Sequence, residues 1–430
     1  MEEKEKKESL PLVAKIRLKD RDENGECGAF MISHRSHPAL RDIVEAFNNS
    51  NAVKLGYSTI QKDKGLHEPT MKRKNLYLAG ESVRNHLKNL PFEVYELVTE
   101  ASPDEIKKIL SLTKLEECKP KCDDLELLKK YKNLKDCDDN CFYVSRWDSN
   151  KDELEITAIV NGQKVHLSSF GLHSKNRMIS PDKAKFGTTI EEDASTRDLT
   201  INAMYIKLKS EDGENGELID PQGGFHDLKA GVIETIGKPE KAFQRNPYLP
   251  FMLCNIAAKF TDSGNLPERI KHEIDNFDPP KLDPQILKHI LVRGLEDSNV
   301  PLRHFYNNLY NTNLIDIMLP KLKFSNICSS NVCANVPRDK IVALAFILKD
   351  NDPNEVMNIL ASNGYTNTDA ESISFLVRLA RIVKADVRHD FVIQKLMEKP
   401  VLISKNKIKQ FLSLLGNTEF FQKFFSEKIV

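Results

Sequence analysis

The stretch from Leu76 to Thr99, LYLAGESVRNHLKNLPFEVYELVT, decides the fold that the sequence predicts. Its first four residues are apolar and end at Gly80, which predicts a short strand that stops at a glycine turn. We expect a helix of one or two turns from Ser82. Pro91, which cannot continue a helix, separates it from a second strand over Glu93 to Val98. This order places backbone N–H groups at a helix N-terminus, where phosphate commonly binds.

The same stretch resembles the head of the tRNA nucleotidyltransferase/poly(A) polymerase family, which includes the bacterial and eukaryotic type of CCA-adding enzyme. The family pattern is a GGxxRD turn followed by a DxD strand that ends in threonine. Gly80 and Arg84 match this pattern, whereas Glu81 stands for the second glycine and Asn85 for the aspartate. The resemblance implies nucleotide contacts at the turn, by Gly80, Glu81, Ser82 and Arg84.

Laid on the DxD strand, Val94 and Glu96 occupy the positions of the two metal-binding aspartates. Residues two apart on a strand share a face, so these two side chains should point together. The family reaction needs two Mg²⁺ ions about 3.5 to 4 Å apart, held by carboxylates. Valine has no oxygen, and Glu96 could hold one ion. The resemblance therefore implies Glu96 as the catalytic and metal-binding residue, with Mg²⁺ as the cofactor if the centre is active.

Residues 190 to 204, IEEDASTRDLTINAM, are similar to the family's RRDxTxNA box, with Thr196 in place of its first arginine. The resemblance implies that Arg197, Asp198 and Asn202 contact a nucleotide, since guanidinium binds phosphate and a carboxylate accepts from a ribose hydroxyl. A structural alternative stays open. In it, Asp198 caps a helix over LTINAMYI and Arg197 pairs with a neighbouring acid.

The segment from Ile219 to Gly237 matches the family's IDPxGGxxDL box, whose proline and glycines predict a turn that closes the head. The family's base-selecting box, EDPLRxLR, reads RNPYLPFM here, over Arg245 to Met252. Leu249 replaces the base-reading arginine, and Asn246 keeps an amide for a nucleotide contact. Pro250 is expected to interrupt the helix of this box.

For each of three further groups of residues, the sequence leaves two interpretations open. Cys118, Cys122, Cys137 and Cys141 form two CxxxC pairs that could hold structural zinc or be ordinary thiols of an insertion. His166, in VHLSSFG, takes the place of a family acid or is an ordinary surface histidine. A helical stripe could follow an RNA backbone or be a solvated face, and it consists of Arg378, Arg381, Lys384 and Arg388.

Composition limits the class of protein. The chain has 430 residues, a formal net charge of zero and a pI near 7.2, so any affinity for nucleic acid must come from local patches. The eight cysteines at irregular spacing favour a reduced, cytoplasmic protein. No run of 18 apolar residues predicts a membrane span, so a membrane is not an expected partner.

The expected fold is α+β, with a polymerase-β-like nucleotidyltransferase head on a mixed sheet, followed by an all-α neck, body and tail. The domains predicted are an N-terminal arm with a β-hairpin and a short helix (1–74), the head (75–237, with a cysteine-containing insertion at 115–141), a helical neck and body (238–325) and a helical tail (326–430). The arm lies outside the resemblance.

The resemblance implies a member of this family that binds RNA, with tRNA as the expected RNA and CTP or ATP as a possible ligand. Because the metal pair and the base-selecting pair are both altered, we expect nucleotide addition to be weakened or lost. Two alternatives remain. One is an active CCA-adding or poly(A)-adding enzyme, and the other is a structural protein without RNA contact. The sequence leaves the oligomeric state open.

Overall fold

The computed structural model describes residues 43–47, 74–90, 94–111, 116–117, 141–148, 151–160, 163–170, 189–208, 218–324, 336–384 and 403–419. Contacts divide the chain into two units, one of residues 1–229 and 234–236 and the other of residues 230–233 and 237–430. Residues 43–47, part of the predicted short helix of the N-terminal arm, are helical. The predicted β-hairpin of the arm lies outside the described residues.

The first unit is built on an eight-stranded sheet. Its strands are β1 (Leu76–Ala79), β2 (Val94–Thr99), β3 (Glu116–Glu117), β4 (Cys141–Asp148), β5 (Lys151–Val160), β6 (Gln163–Ser169), β7 (Tyr205–Leu208) and β8 (Leu218–Ile219). Their order across the sheet is β3-β4-β5-β6-β2-β1-β7-β8. The pairs β2–β6 and β3–β4 are parallel and the others antiparallel. The mixed sheet confirms the α+β prediction.

Helical segments accompany the sheet: α1 (Gly80–Leu87), α2 (Pro103–Leu110), α3 (Ile190–Thr196), a 3₁₀ turn (Thr200–Asn202) and α4 (Gly224–Ala230). The strand, turn, helix and strand predicted around Gly80 are all present. Ser102 and Glu105 form a reciprocal capping box at the start of α2, and Thr189 and Glu192 form another at the start of α3. These boxes satisfy backbone donors that a helix end otherwise leaves unpaired. The two helices therefore begin at positions set locally by the sequence.

The helix considered over LTINAMYI does not form. Residues 200–202 make a single 3₁₀ turn, and Tyr205–Leu208 is a strand that pairs with β1 and β8. Tyr205 is fully buried in a cluster that includes Tyr77 and Phe170, whose ring centroids lie 5.6 Å apart. Aromatic and β-branched residues suit a half-buried sheet, and pairing with β1 decides their conformation here. The helical alternative was therefore wrong, although it was compatible with the local sequence.

The predicted IDPxGG turn is built around Asp220. Its carboxylate accepts hydrogen bonds from the backbone N–H groups of Gly224, at 2.8 Å, and Phe225, at 2.9 Å. Gly224 packs directly against the carbonyl oxygen of Thr200, where a Cβ would overlap it. The Thr200 hydroxyl donates to Asp227 at 2.6 Å. This turn therefore holds the 3₁₀ segment next to it in the sheet unit.

We expect Gly224→Ala to lower the free energy of unfolding by about 3 kcal/mol, because the new methyl group would be forced against rigid backbone. Gly223→Ala is the matched control. Gly223 has a φ of +74°, and a Cβ there would meet no atom within 4 Å. Only backbone strain of about 1 kcal/mol should result. Urea denaturation of both variants measures the difference, and equal losses would mean that the close packing against Thr200 is unimportant.

In the described residues of the second unit, the regular elements are helices joined by turns and irregular segments. Its helices are α5 (Pro239–Arg245), α6 (Leu249–Phe260), α7 (Glu268–Asp275), α8 (Pro284–Glu296), α9 (Leu302–Asn311), α10 (Leu314–Met318), α11 (Lys340–Ile347), α12 (Pro353–Ser362), α13 (Asn367–Lys384) and α14 (Lys405–Leu414). The predicted amphipathic helices of the tail correspond to α11 to α14. Among the described residues, no helix is both long enough and apolar enough to span a bilayer.

Pro250 was predicted to interrupt a helix, and it does not. Helix α6 begins at Leu249, so Pro250 lies in its first turn. Proline is tolerated there because the first N–H groups of a helix have no intrahelical partner. The preceding helix α5 ends at Arg245, and Asn246 leads the chain into the break between the two. The proline therefore marks a helix start in the second unit.

Candidate functional site

The Glu96 carboxylate lies over the turn between β1 and α1. Its Oε2 accepts a hydrogen bond from the backbone N–H of Glu81, at 3.3 Å, in the first turn of α1. Its Oε1 is 2.9 Å from Nη1 of Arg197, with which it forms an ion pair. Gly80 has a φ of +58°, and a Cβ on it would overlap the carboxylate. Both oxygens of Glu96 therefore accept from N–H donors, in a hollow that only glycine leaves open.

Ser82 joins helix α1 to strand β2. Its hydroxyl donates to the carbonyl oxygen of Val94 and accepts from the N–H of Glu96, both at 2.9 Å. The side chain is completely buried. These two bonds fix Val94 and Glu96 relative to the helix. The structure thus gives Ser82, predicted to contact a nucleotide, an internal structural contact.

Arg197 is the centre of a buried polar cluster. Its Nε donates to Asp193 at 3.1 Å and to the Tyr205 hydroxyl at 2.9 Å, and its Nη1 also donates to the carbonyl oxygen of Asn202 at 3.1 Å. The Tyr205 hydroxyl donates to Asp193 at 2.6 Å. Arg197 is 7% exposed and Asp193 is fully buried. Arg197 therefore does pair with a neighbouring acid, as the structural alternative predicted.

The electrostatics of this cluster favour a charged arginine. Burial acts to lower the pKa of Arg197, but its interactions with Tyr205, Asp193 and Glu96 outweigh burial and raise that pKa well above its usual value. Burial raises the pKa of Tyr205, so its hydroxyl stays protonated and can donate. The guanidinium consequently serves as a fixed positive charge between two carboxylates.

Arg84 links the glycine turn to the second box. Its Nη1 donates to Oδ1 of Asn202 at 2.7 Å, and its Nη2 lies 3.4 Å from Oε1 of Glu81. Asn202 in turn donates to Oδ1 of Asp198 at 3.1 Å, which also accepts from the N–H of Leu199. Arg84 is only 4% exposed. The fold thus brings together the head residues predicted to contact a nucleotide: Gly80 lies against the Glu96 carboxylate, and the others are linked by hydrogen bonds around it.

These residues do not fit a pair of magnesium ions. Val94 offers no oxygen, and both oxygens of Glu96 already accept from donors. The guanidinium of Arg197 is a positive charge where a cation would bind Glu96. Within the described ranges, no group of three or more His, Cys, Asp or Glu residues could hold a metal ion. Mg²⁺ needs several oxygen ligands in near-octahedral geometry, so the donors present here are too few.

His166 lies beside Glu96 in the sheet. The two residues are paired in register across the parallel strands β2 and β6, and Thr157 of β5 is the next residue in the same row. Directly paired residues point to the same face. The position that the resemblance assigned to a family acid is therefore next to Glu96, and it carries an imidazole.

Two residues of the site were missed from the sequence. Asp193 stands four residues before Arg197, a helical spacing that could have suggested the ion pair. Tyr205 left no local signal, because its contact with Arg197 depends on the placement of β7 in the sheet. Both residues bind Nε of the guanidinium, whereas Glu96 binds Nη1.

The other predicted site residues lie apart from this cluster in the sequence. The Asn246 side chain accepts from the N–H of Tyr248 at 3.2 Å, within the second unit. In the basic stripe on α13, the described side chains each contact an acid or an amide: Arg378 with Asn354, Arg381 with Asp352 and Lys384 with Asp350, at 3.0 to 3.1 Å. The structure does not describe Arg388 or three of the four cysteines, Cys118, Cys122 and Cys137. It also does not describe the side chain of the fourth, Cys141.

Comparison with known proteins places the head in a family. Residues 132–234 match the model of the poly A polymerase head domain. The chain is 25% identical over 220 residues to a CCA-adding enzyme of Ligilactobacillus salivarius (strain UCC118), covering 51% of this chain and 43% of that one. It is 34% identical over 137 residues to a multifunctional CCA protein of Paracidovorax citrulli (strain AAC00-1), covering 31% of each. The matched part is thus less than half of the length of these relatives.

Solved structures show the same fold. A Bacillus stearothermophilus CCA-adding enzyme in complex with CTP aligns over 90% of this chain and 82% of its own, with a TM-score of 0.55 and 14% identity. A Thermotoga maritima CCA-adding enzyme complexed with tRNA aligns over 89% and 85%, with a TM-score of 0.52 and 17% identity. Residues 132–234 thus match a head domain of the tRNA nucleotidyltransferase/poly(A) polymerase family, and most of the chain has the fold of CCA-adding enzymes.

Proposed function

We propose that this protein is an RNA-binding member of its family, acting in tRNA processing, in which nucleotide addition is weakened or lost. The observation that carries the proposal is that strand β2 has no side chain free to bind a metal ion. Val94 supplies no ligand, and Glu96 is bound by Arg197 and by the helix α1 N-terminus. Phosphoryl transfer in this class depends on metal ions and positioning together, so a strand without a free carboxylate removes its main source of charge stabilisation.

The proposed ligand is RNA, with tRNA as the expected RNA. Solved relatives of the same fold are described in complex with tRNA and with CTP. In this chain, the proposed nucleotide contacts are the glycine turn, Arg84, Arg197, Asp198, Asn202 and, in the second unit, Asn246. The proposed RNA contact is the basic stripe of Arg378, Arg381, Lys384 and Arg388. RNA phosphates would compete there with the acidic partners Asp350 and Asp352.

An active CCA-adding or poly(A)-adding enzyme is the second candidate. It is favoured by the convergence of Arg84, Arg197, Asp198 and Asn202, which match the family's motifs and meet in one cluster. In such an enzyme Glu96 would have to leave Arg197 in order to bind Mg²⁺. A structural protein without RNA contact is a third candidate, and no contact in the described residues favours it over the first two.

One experiment separates the three candidates. The full chain is incubated with tRNA lacking its 3′ CCA, Mg²⁺ and labelled CTP or ATP, and both incorporation and filter retention are measured. We expect retention of tRNA that weakens as salt rises. We expect incorporation at least about a thousandfold below that of a CCA-adding enzyme assayed in parallel, equivalent to about 4 kcal/mol less transition-state stabilisation.

Robust incorporation would contradict the proposal and support the active enzyme, whereas absence of both signals would support the structural candidate. The control for the RNA surface is a variant with Arg381→Ala and Lys384→Ala. Both side chains are largely exposed, so folding should be unaffected. This variant should bind tRNA more weakly, with a salt dependence smaller by about one unit for each phosphate that is no longer neutralised.

A further inference from the structure

We propose that the Glu96 carboxylate is an internal ligand of the head, filling an anion site that would otherwise accept a phosphate group and so excluding external phosphate from it. The inference rests on the proposed function and restricts its nucleotide contacts: a nucleotide would meet the glycine turn and Arg197 through its base or ribose, whereas Glu96 would keep its phosphate groups out of this site. It concerns a different event, however. Metal binding fails for want of ligands, whereas phosphate binding fails because the site is already filled.

The site has three walls. The first is the N-terminal turn of α1, an eight-residue helix whose Glu81 N–H points at Oε2 of Glu96. The second is Gly80, which leaves space for an anion because it has no Cβ. The third is the guanidinium of Arg197, 2.9 Å from Oε1. A helix N-terminus carries about half a positive charge, and with an arginine beside it the site favours an anion.

Arg197 points independently to an anion larger than a carboxylate. Its side chain is 6% exposed, and its second amino group, Nη2, has no hydrogen-bond partner in the described part of the chain. A buried donor without a partner is costly. A carboxylate has only two oxygens, and both are used by Glu81 and by Nη1. A phosphate carries further oxygens, one of which could accept from Nη2.

The site should also persist without Glu96. Arg197 is held by Asp193, Tyr205 and the carbonyl oxygen of Asn202. The Glu81 N–H belongs to a helix whose first turn is tied to β2 by Ser82, through the backbone of residue 96 and the carbonyl of Val94. None of these contacts uses the Glu96 carboxylate. Its removal should therefore leave a preformed empty anion site.

The test compares Glu96→Ala with the wild-type chain. Melting temperature is measured as inorganic phosphate or pyrophosphate is added, with chloride at equal ionic strength as the reference. We expect a saturable rise for Glu96→Ala and no specific rise for the wild type, with apparent phosphate affinities differing at least about tenfold. Formate, which returns a carboxylate, should also stabilise Glu96→Ala and not the wild type.

Two further variants make the result decisive. Glu100→Ala removes a carboxylate just after β2 that binds Asn75 and not Arg197, so it should not respond to phosphate. Glu96→Asp keeps the charge but shortens the side chain, so phosphate should stabilise it less than it stabilises Glu96→Ala. If the alanine variant fails to fold, the response of Glu96→Asp to phosphate tests the inference. The inference is overturned if wild type or Glu100→Ala binds phosphate as well as the Glu96 variants, or if no folded Glu96 variant responds. The melting temperature does not depend on nucleotide incorporation. A failure of this inference can therefore be distinguished from a failure of the proposed function.

Discussion

Replacing Arg197 with methionine should lower the free energy of unfolding by about 3 to 5 kcal/mol, the usual cost of removing one partner of a buried ion pair. Methionine is close to arginine in length and apolar, so packing is largely kept. Asp193, which is fully buried, would lose both the hydrogen bond and the positive charge of the guanidinium, while the Tyr205 hydroxyl would still donate to it. The destabilisation would therefore come from the loss of the cation beside a buried carboxylate in the sheet unit.

Chemical denaturation of the purified chain measures this effect. Arg381→Met is the matched control, because it breaks an arginine–aspartate pair of similar length, 3.0 Å, in which both side chains are more than half exposed. Exposed pairs contribute little, so this variant should be indistinguishable from wild type. If both variants were destabilised equally, the cluster around Arg197 would not be the buried anchor described above.

Placing two aspartates at the family's metal-binding positions on strand β2 should create a cation site. In the double variant Val94→Asp and Glu96→Asp, two carboxylates would point to the same face of β2, and the shorter side chain at position 96 would withdraw from Arg197. We expect at least about a tenfold gain in Mn²⁺ affinity, equivalent to about 1.4 kcal/mol. The matched control is Val94→Asn with Glu96→Asp, which has the same shape but one less negative charge and should gain less.

This double variant should still not add nucleotides selectively. The base-selecting box has Asn246 and Leu249 where the family has a carboxylate and an arginine, and leucine cannot donate to a base edge. Incorporation of labelled CTP and ATP into tRNA lacking its 3′ CCA measures this point. Recovery of ordered addition by the double variant would mean that the second box is not needed for selection in this chain.

The sequence predicted the head well where local signals agree. Gly80 separates a buried strand from a short helix, and the Ser102 and Glu105 capping box begins the next helix, as their spacing indicates. These features depend on residues close together in the chain, so they can be predicted from the sequence alone.

The rest depends on contacts between distant residues. Glu96 and Arg197 are 101 positions apart, and only the fold reveals that the guanidinium lies against the carboxylate. The helix considered over LTINAMYI and the helix interruption expected at Pro250 were wrong for a related reason. Sheet pairing in one case, and the point at which a helix begins in the other, override local preference.

Glu96 is satisfied by a guanidinium and a helix N-terminus, so β2 should offer no ligand to a divalent cation. Titration of the wild-type chain with Mn²⁺, followed through the free ion by electron paramagnetic resonance with Glu96→Gln in parallel, tests this point most directly. We expect the same weak binding for both proteins, because Glu96 takes no part in it. Tight binding of one or two Mn²⁺ ions by the wild type that disappears in Glu96→Gln would show instead that this carboxylate is a working metal ligand.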